Sequence, residues 1–190
     1  MKNNFISKYL EDLSKFIKPN NEIIHKLELL KDLIINIKSK KSKILIFGNG
    51  GSATIASHFS LDITKNAKVR CINLNDPTLI SCFANDFGYE NWISKAIEFY
   101  ADKDDLLILI SSSGQSKNMI NAAKIAKKIK IANTVTLTGF GENNPLKKRG
   151  DLNLWVNSKA YNFIENTHQI WLLLIVDLII GKREYLQRKK

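Results

Sequence analysis

Cysteine is scarce in this chain, with two among 190 residues. Cys71 and Cys82 lack the short spacing of a metal-binding pair, and two cysteines are too few for the disulfide framework of a small secreted protein. Each lies within an apolar segment, as buried free thiols usually do. The sequence therefore predicts two buried, reduced cysteines and a cytoplasmic location.

A long hydrophobic run is also missing. A helix needs about 20 mostly apolar residues to cross a bilayer, and no run here reaches about 18. The longest candidate, residues 170–180, contains Asp177 and is predicted to form a buried helix. The N-terminal stretch is amphipathic and carries acidic residues, unlike a secretory signal peptide. We therefore expect neither a membrane span nor a signal peptide.

Acidic side chains are the minority charge, with 18 Asp and Glu against 29 Lys and Arg and a formal net charge of +11. A basic surface could bind nucleic acid or another polyanion. However, the lysines are spread along the chain, and no basic stretch is interleaved with aromatic residues. A solvated, lysine-rich surface that helps to attract an anionic substrate is the favoured interpretation, and no nucleic-acid partner is expected.

Hydrophobic periodicity separates a helical N-terminal part from an alternating part. Apolar residues recur at helical spacing in residues 5–17 and 21–39. Short apolar runs then alternate with helical stretches, which is typical of a parallel sheet covered on both faces. Strands are predicted at 43–47, 69–74, 105–110, 134–138 and 152–156, and helices at 52–65, 77–83, 90–99, 116–129 and 162–181. Pro19, Pro77 and Pro145 fall at predicted breaks, and Gly181 is a predicted C-cap.

These elements predict a single α/β domain over residues 1–190, built as a three-layer sandwich around a five-stranded parallel sheet. Residues 1–40 form two extra N-terminal helices, and residues 43–190 form the α/β core. The two helices and the last helix carry more apolar surface than one sheet face needs. We therefore expect a homo-oligomer.

The first loop of chemical interest follows the first predicted strand and reads Gly48-Asn49-Gly50-Gly51-Ser52. Its glycines permit a tight turn and let backbone N–H groups approach a ligand closely. Ser52 begins the next helix, where its hydroxyl could either cap the helix or bind an oxyanion. The loop has neither the GKS ending of a P-loop nor a GxGxxG pattern. An ordinary glycine turn into a capped helix is the alternative.

The second loop follows the third predicted strand and reads Ser111-Ser112-Ser113-Gly114-Gln115-Ser116. Four hydroxyls around one glycine suit a phosphate monoester that is held without metal or arginine. A polar loop with a helix cap is again the alternative. Because ligands bind beyond the carboxyl ends of parallel strands, two such loops favour a phosphate site over coincidence.

The pairing of GNGGS with SSSGQS resembles the sugar isomerase (SIS) domain family. The helix sequence ATIASHFSLDITK, residues 53–65, and the segment FANDFG, residues 83–88, resemble the phosphoheptose isomerase branch. The resemblance covers nearly the whole chain. It implies a flavodoxin-like SIS fold, conversion of sedoheptulose 7-phosphate to an aldoheptose 7-phosphate for heptose and surface polysaccharide synthesis, and a homotetramer with sites at subunit boundaries.

The resemblance also implies which residues bind the substrate. In this family the serine loop holds the phosphate, and the other motif residues line the sugar site. The implied set is Asn49, Gly50, Gly51, Ser52, Asn85, Asp86, Ser111, Ser112, Ser113, Ser116 and Glu165.

The catalytic positions of the family are altered in this chain. The family uses a glutamate one turn after the helix histidine and a second histidine on the last helix, and these groups form a zinc site with a glutamine. Here the first histidine is His58, the glutamate position is Asp62, the glutamine position is Glu165, and the late histidine position is Leu173. The resemblance thus implies Asp62 as a catalytic residue, and it leaves His58 and Asp62 as metal ligands of an incomplete zinc site. No cofactor is predicted to be required.

The last predicted helix offers another acid–base pair. Glu165 and His168 are three residues apart, share a helical face, and could act as base and acid. Alternatively, Glu165 favours the helix N-terminus, and His168 is a core or interface histidine. His58 and Asp62 also face the same way, and they could be a structural hydrogen-bonded pair.

Three functions remain open at this point. The leading one is an isomerase that works through an enediol without a redox cofactor. A non-catalytic sugar-phosphate-binding regulator or scaffold is the second, because the late histidine is missing. An isomerase of another sugar phosphate is the third, since the serine loop does not define the sugar.

Overall fold

The computed structural model describes residues 2–18 and 20–183, which build a parallel sheet between two helical layers. The strands are β1 (Ile44–Gly48), β2 (Cys71–Ile72), β3 (Leu106–Ser111), β4 (Asn133–Thr138) and β5 (Leu152–Trp155). All pairs are parallel, in the order β2-β1-β3-β4-β5. This is the strand order of flavodoxin-like sheets, so the predicted fold class is confirmed. Pro19, one of the predicted breaks, lies outside the described residues.

Helices cover both faces of the sheet. They are α1 (Lys2–Ile17), α2 (Asn21–Ser39), α3 (Gly51–Lys65), α4 (Pro77–Phe87), α5 (Trp92–Tyr100), α6 (Lys117–Ile129) and α7 (Tyr161–Ile180). On one face, α2, α3 and α7 bury residues such as Leu30, Phe59 and Leu172 against the strands. On the other face, α5 and α6 bury Trp92 and Ala122. Gly181 ends α7 with a φ of 74°, as the predicted C-cap requires.

The central and edge strands differ in length for a physical reason. Every residue of β1 and β3 is buried, which explains their continuous apolar runs. The edge strand β2 pairs only with β1 and is shorter than the predicted 69–74. Downstream of it, the Asn73 side chain accepts a hydrogen bond from the Asn75 backbone N–H at 2.8 Å. This local turn competes with strand pairing, so the strand ends early.

A buried carboxylate lies at the amino end of the sheet. Asp105, just before β3, is fully buried, and its Oδ2 lies 2.7 Å from Lys43 Nζ. The same carboxylate accepts the backbone N–H groups of Lys43 at 3.0 Å and of Asp102 at 2.7 Å. The charge is therefore both paired and hydrogen-bonded, which is the condition for keeping it in the interior.

The last helix is only partly buried. Trp171, Leu172 and Ile175 point into the core, whereas Ile170 and Leu174 are exposed. Among the described residues, α7 is the one helix long and apolar enough to cross a membrane by length and composition, and 39% of its most apolar window is buried in the protein. A single helix of this kind equally fits the core helix of a folded domain. The predicted buried helix therefore also has an exposed apolar side.

The prediction of two buried cysteines is wrong for Cys82. Cys71 is half-buried in β2, whereas Cys82 is exposed on α4. The apolar residues around Cys82, such as Leu79 and Phe83, pack one side of α4 against the core. However, no residue of α4 is fully buried, so its outer side remains open to solvent.

Candidate functional site

A small cavity of about 120 Å³ opens at the carboxyl ends of β1 and β3. These neighbouring strands flank the point where the strand order reverses, which is where flavodoxin-like folds bind ligands. The cavity brings the two loops together with the start of α7. Its lining residues are Asn49, Ser52, Ile110, Ser111, Ser112, Ser113, Ser116, Tyr161 and Glu165.

The glycines of the first loop allow close packing at this cavity. Gly50 precedes α3 with a φ of 53°, in the left-handed region that favours glycine. A Cβ on Gly51 would lie 2.3 Å from Glu165 Oε2, so a larger residue there would displace the carboxylate. Gly50, not Ser52, occupies the N-cap position, and no side chain caps α3. Ser52 thus lines the cavity in the first turn of the helix, and the capping alternative does not apply to it.

The serine loop presents its hydroxyls to the same cavity. Ser111 and Ser112 are buried, and Ser111 Oγ lies 3.2 Å from Ser116 Oγ. Ser116 occupies the N-cap position of α6 without a side-chain cap bond, since its hydroxyl faces Ser111. Ser113 Oγ accepts the Gln115 backbone N–H at 3.2 Å and keeps its own proton for a ligand. The first turn of α6 and these hydroxyls form an anion cradle.

Asn144 supports the serine loop from a distant part of the chain. Its side chain fills the space beside Gly114, where a Cβ would lie 2.0 Å from Asn144 Oδ1. Asn144 Nδ2 donates to the backbone oxygen atoms of Gly139 at 3.3 Å and Gly141 at 3.0 Å. No local sequence pattern links Asn144 to the loop that it supports, so its role is evident only in the structure.

Glu165 meets both loops. It lines the cavity from the first turns of α7, and Ser112 Oγ donates to its Oε1 at 3.4 Å. The predicted convergence of Glu165 with the serine loop and with Ser52 is therefore present in the structure.

His168 points elsewhere. It is fully buried, its Nε2 lies 3.2 Å from the backbone oxygen of Thr138, and its Nδ1 has no hydrogen-bond partner in the described structure. Burial lowers the pKa of His168 from 6.5 to about 4, so the imidazole is neutral at pH 7. His168 is not among the cavity-lining residues, so the structure does not bring it together with Glu165. This position matches the core-histidine alternative.

The predicted pair on α3 does form. His58 Nε2 lies 3.3 Å from Asp62 Oδ2, and His58 Nδ1 lies 3.0 Å from Gln169 Nε2 on α7. Sequence reasoning missed Gln169, which lies four residues after Glu165. Among the described residues, no group of three or more His, Cys, Asp and Glu side chains could hold a metal ion. The side chains present do not fit the family's zinc site, because Leu173 supplies no ligand and Gln169 occupies one imidazole nitrogen.

Asn85 and Asp86 lie outside the cavity lining of this chain. The structure extends α4 beyond the predicted 77–83 to Phe87, so both residues are helical and exposed. Asn85 Nδ2 donates to Asp86 Oδ1 at 2.9 Å. Their role in binding the sugar remains a prediction.

A hydrogen-bonded amide pair joins the first loop to the first turn of α6 beside the cavity. Asn49 Nδ2 donates to Asn118 Oδ1 at 3.0 Å, and Asn118 Nδ2 donates to Asn49 Oδ1 at 2.9 Å. Tyr89 Oη also donates to Asn49 Oδ1, at 3.3 Å. Neither Asn118 nor Tyr89 was singled out from the sequence.

The chain is similar to known proteins over most of its length. The family model of the SIS domain matches residues 4–139. The phosphoheptose isomerase of Fusobacterium nucleatum is 35% identical over 182 residues, which cover 92% of each chain. That of Helicobacter pylori strain P12 is 33% identical over 180 residues, covering 92% of this chain and 88% of the relative.

Solved structures support the fold. The phosphoheptose isomerase of Neisseria gonorrhoeae superposes with a TM-score of 0.84 at 24% identity, covering 95% of this chain and all of the other. Sequence and structure together place the chain in the SIS domain family, in its phosphoheptose isomerase branch.

Proposed function

We propose that this protein is an aldose–ketose isomerase that converts sedoheptulose 7-phosphate to an aldoheptose 7-phosphate through an enediol. The observation that carries the proposal is the single cavity in which the serine loop, the GNGGS loop and Glu165 meet. Relatives named phosphoheptose isomerase match over most of the chain and support this substrate. The reaction requires no external oxidant or reductant, because it only moves hydrogen between adjacent carbons.

The serine loop would hold the phosphate. Ser111, Ser113 and Ser116 offer hydroxyl donors at the N-terminus of α6, which the Ser116 side chain does not cap. Backbone N–H groups at a helix N-terminus and neutral hydroxyls stabilise a phosphate dianion without a fixed cation. Ser52 adds a fourth hydroxyl, at the start of α3.

Glu165 would act as the base. Its carboxylate would take a proton from C1 of the open-chain ketose, leaving an enediolate, and the protonated carboxyl, after exchange with solvent, would deliver a proton to C2. The C1 hydroxyl would lose its proton and the C2 oxygen would gain a proton. The composition of the sugar phosphate is therefore unchanged by the reaction. A positioned acid or base of this kind contributes typically about 10²–10⁴-fold to the rate.

The His58–Asp62 pair is the second candidate for proton transfer. Its geometry supports a hydrogen-bonded acid–base pair, although it lies outside the cavity lining of one chain. A partner subunit that brings this pair to the substrate would fit the expected homo-oligomer. No step of the proposed reaction uses zinc, because the residues present do not form its site.

Deuterium incorporation from heavy water tests the proposal. Purified protein and sedoheptulose 7-phosphate would be followed by NMR, with Glu165→Gln, His168→Ala and Asp62→Asn alongside. Glu28→Gln, an exposed carboxylate on α2, is the matched control. We expect turnover in wild type and control and an about 10²–10⁴-fold loss in Glu165→Gln.

Other outcomes separate the alternatives. Activity that survives in Glu165→Gln but not in Asp62→Asn would move the base to α3. Binding of the sugar phosphate without turnover in wild type would favour the regulator or scaffold. Turnover of a different sugar phosphate alone would retain the isomerase chemistry and reject the heptose.

We also propose that the protein is a cytoplasmic homo-oligomer, a tetramer by resemblance. The exposed apolar side of α7 lines an open groove of about 960 Å³ with Ile170, Leu174 and Leu178. Phe5 and Leu10 on α1 are exposed as well. Contiguous exposed apolar patches that are rimmed by polar residues mark interaction surfaces. Sedimentation of wild type and Leu174→Asp would test this, since a monomer in both would reject the oligomer.

A further inference from the structure

One backbone N–H group fixes the orientation of the amide pair beside the cavity. Met119 N–H donates to Asn118 Oδ1 at 3.0 Å. A backbone N–H can only donate, so the Asn118 atom that faces it must be the oxygen. Asn118 Nδ2 then faces Asn49 Oδ1, and Asn49 Nδ2 faces Asn118 Oδ1. The chemistry of a single backbone group therefore determines both amide orientations.

This orientation limits what Asn49 can offer a ligand. An amide oxygen has two lone pairs, and Asn49 Oδ1 already accepts from Asn118 Nδ2 and from Tyr89 Oη. The amide nitrogen has two protons, of which only one is used toward Asn118 Oδ1. Asn49 lines the cavity, so its side chain can present one free N–H there and no free acceptor.

We propose that Asn118 and Tyr89 fix Asn49 as a hydrogen-bond donor to the sugar oxygen that becomes negatively charged in the enediolate. This inference rests on the proposed isomerase function. A donor that is already oriented stabilises a developing oxyanion without reorganisation during the reaction. Asn118 and Tyr89 are positioning residues, since they act through Asn49.

The position of Asn49 favours the sugar oxygen over the phosphate. The phosphate has its own donors in the serine loop, on the α6 side of the cavity. Asn49 belongs to the other loop, which also contacts the Glu165 carboxylate through Gly51. A fixed donor on this loop and a base on α7 that lies beside the loop are the two groups that proton transfer between adjacent carbons needs.

The two positioning residues differ in how firmly they hold Asn49. Asn118 is only 2% exposed and makes two bonds to Asn49, both of ordinary length. Tyr89 is 54% exposed, and its bond to Asn49 is longer, at 3.3 Å. Loss of Asn118 should therefore disturb the donor much more than loss of the Tyr89 hydroxyl.

The first test replaces the donor itself. Asn49→Asp puts an oxygen in place of the amide nitrogen, and we expect kcat for sedoheptulose 7-phosphate to fall about 10²–10³-fold. KM should change far less. Affinity for a hydroxamate analogue of the sugar phosphate, which mimics the enediolate, should fall with kcat. Affinity for inorganic phosphate, which needs only the serine loop, should stay within about 2-fold, a change of less than ~0.5 kcal/mol.

The second test changes the positioning residues. Asn118→Leu should lower kcat about 10–10²-fold. Asn118→Asp should retain more activity, because it keeps the acceptor for Asn49 Nδ2. Tyr89→Phe should lower kcat about 3-fold. The matched control is Asn121→Leu, which removes an amide on the same helix that bonds Glu90 and Asn91 outside the cavity. We expect its kcat and its hydroxamate affinity to match wild type.

The outcomes separate this inference from the function on which it rests. An active wild type whose Asn49→Asp variant keeps kcat within about 3-fold would overturn the donor role and leave the isomerase intact. Equal weakening of hydroxamate and inorganic phosphate in Asn118→Leu would reduce Asn118 to a structural support and overturn its positioning role. A wild type without turnover would overturn the proposed function, and this inference with it. Selective loss of hydroxamate binding supports the inference.

Discussion

The two ends of the central strands use polar groups in opposite ways. At the amino end, the Asp105 carboxylate is fully buried and its oxygens bond Lys43 and two backbone N–H groups. At the carboxyl end, Ser111 and Ser116 bond mainly each other, and the Ser116 side chain does not cap α6. The amino end is saturated, whereas the carboxyl end keeps hydrogen-bond donors available.

This difference predicts that stability and ligand binding can be separated by position. Removing one partner of a saturated buried charge destabilises the fold, because the other groups are then left unpaired in the interior. Unsaturated donors contribute little to folding and acquire their partners only when an anion binds. Substitutions at one end should therefore change the free energy of unfolding, and substitutions at the other should change affinity.

The largest effect is expected at the amino end. Asp105→Ala leaves two backbone N–H groups without their acceptor and leaves the Lys43 ammonium with Asp102 as its remaining partner, so the free energy of unfolding should fall by about 3–5 kcal/mol. Urea denaturation followed by circular dichroism measures this loss. Phosphate affinity of the folded fraction should not change.

The neighbouring carboxylate provides the control for Asp105. Asp104 is exposed and pairs with Lys40 at 3.1 Å, so Asp104→Ala should cost less than about 1 kcal/mol. If both variants lost a similar free energy of unfolding, burial would not distinguish the two carboxylates. The proposed role of the amino end of the sheet in stability would then be wrong.

His168 allows a test of whether a side chain near the site belongs to the core or to the chemistry. Its pKa is lowered from 6.5 to about 4, so the unfolded chain binds a proton between these values that the folded chain excludes. Stability from this group is present above pH 6.5 and is lost as the pH falls toward 4, by up to about 3 kcal/mol. His168→Gln should flatten the pH dependence of unfolding in that window.

A solvent-exposed histidine gives the matched comparison. His25 is exposed on α2, and His25→Gln should change the free energy of unfolding at neutral pH by less than about 0.5 kcal/mol. If His168→Gln left that dependence unchanged but abolished turnover at every pH, His168 would belong to the chemistry and not to the core.

Local signals predicted the framework well. The apolar runs of β1 and β3 gave the strands because both are buried on two faces, and the glycine and serine loops marked the ligand end of the sheet. The length of β2 was overestimated because the turn at Asn73 depends on a side-chain hydrogen bond, which a hydrophobicity pattern does not reveal.

Long-range contacts explain what the sequence did not reveal. Asn118 and Asn144 have no motif of their own, and their importance comes from partners in other loops, Asn49 and Gly114. The spacing of Glu165 and His168 correctly placed them on one helix, but it could not show that one enters the cavity and the other the core. Residues three apart differ in direction by enough to reach different surroundings.

The smallest effect is expected at the carboxyl end. Ser113→Ala removes one hydroxyl donor from the anion cradle, and a hydrogen bond to a charged group is worth about 1.5–3 kcal/mol. Calorimetric titration with sedoheptulose 7-phosphate should therefore show at least about 10-fold weaker binding. The free energy of unfolding should change by less than about 0.5 kcal/mol, because Ser113 Oγ accepts only one local N–H. Ser60→Ala, which removes a surface hydroxyl bonded to the Ser57 backbone, is the matched control and should alter neither quantity. A Ser113→Ala variant that unfolds more easily yet binds as tightly as wild type would reverse the assignment of the two ends, since the serine loop would then support the fold rather than the ligand.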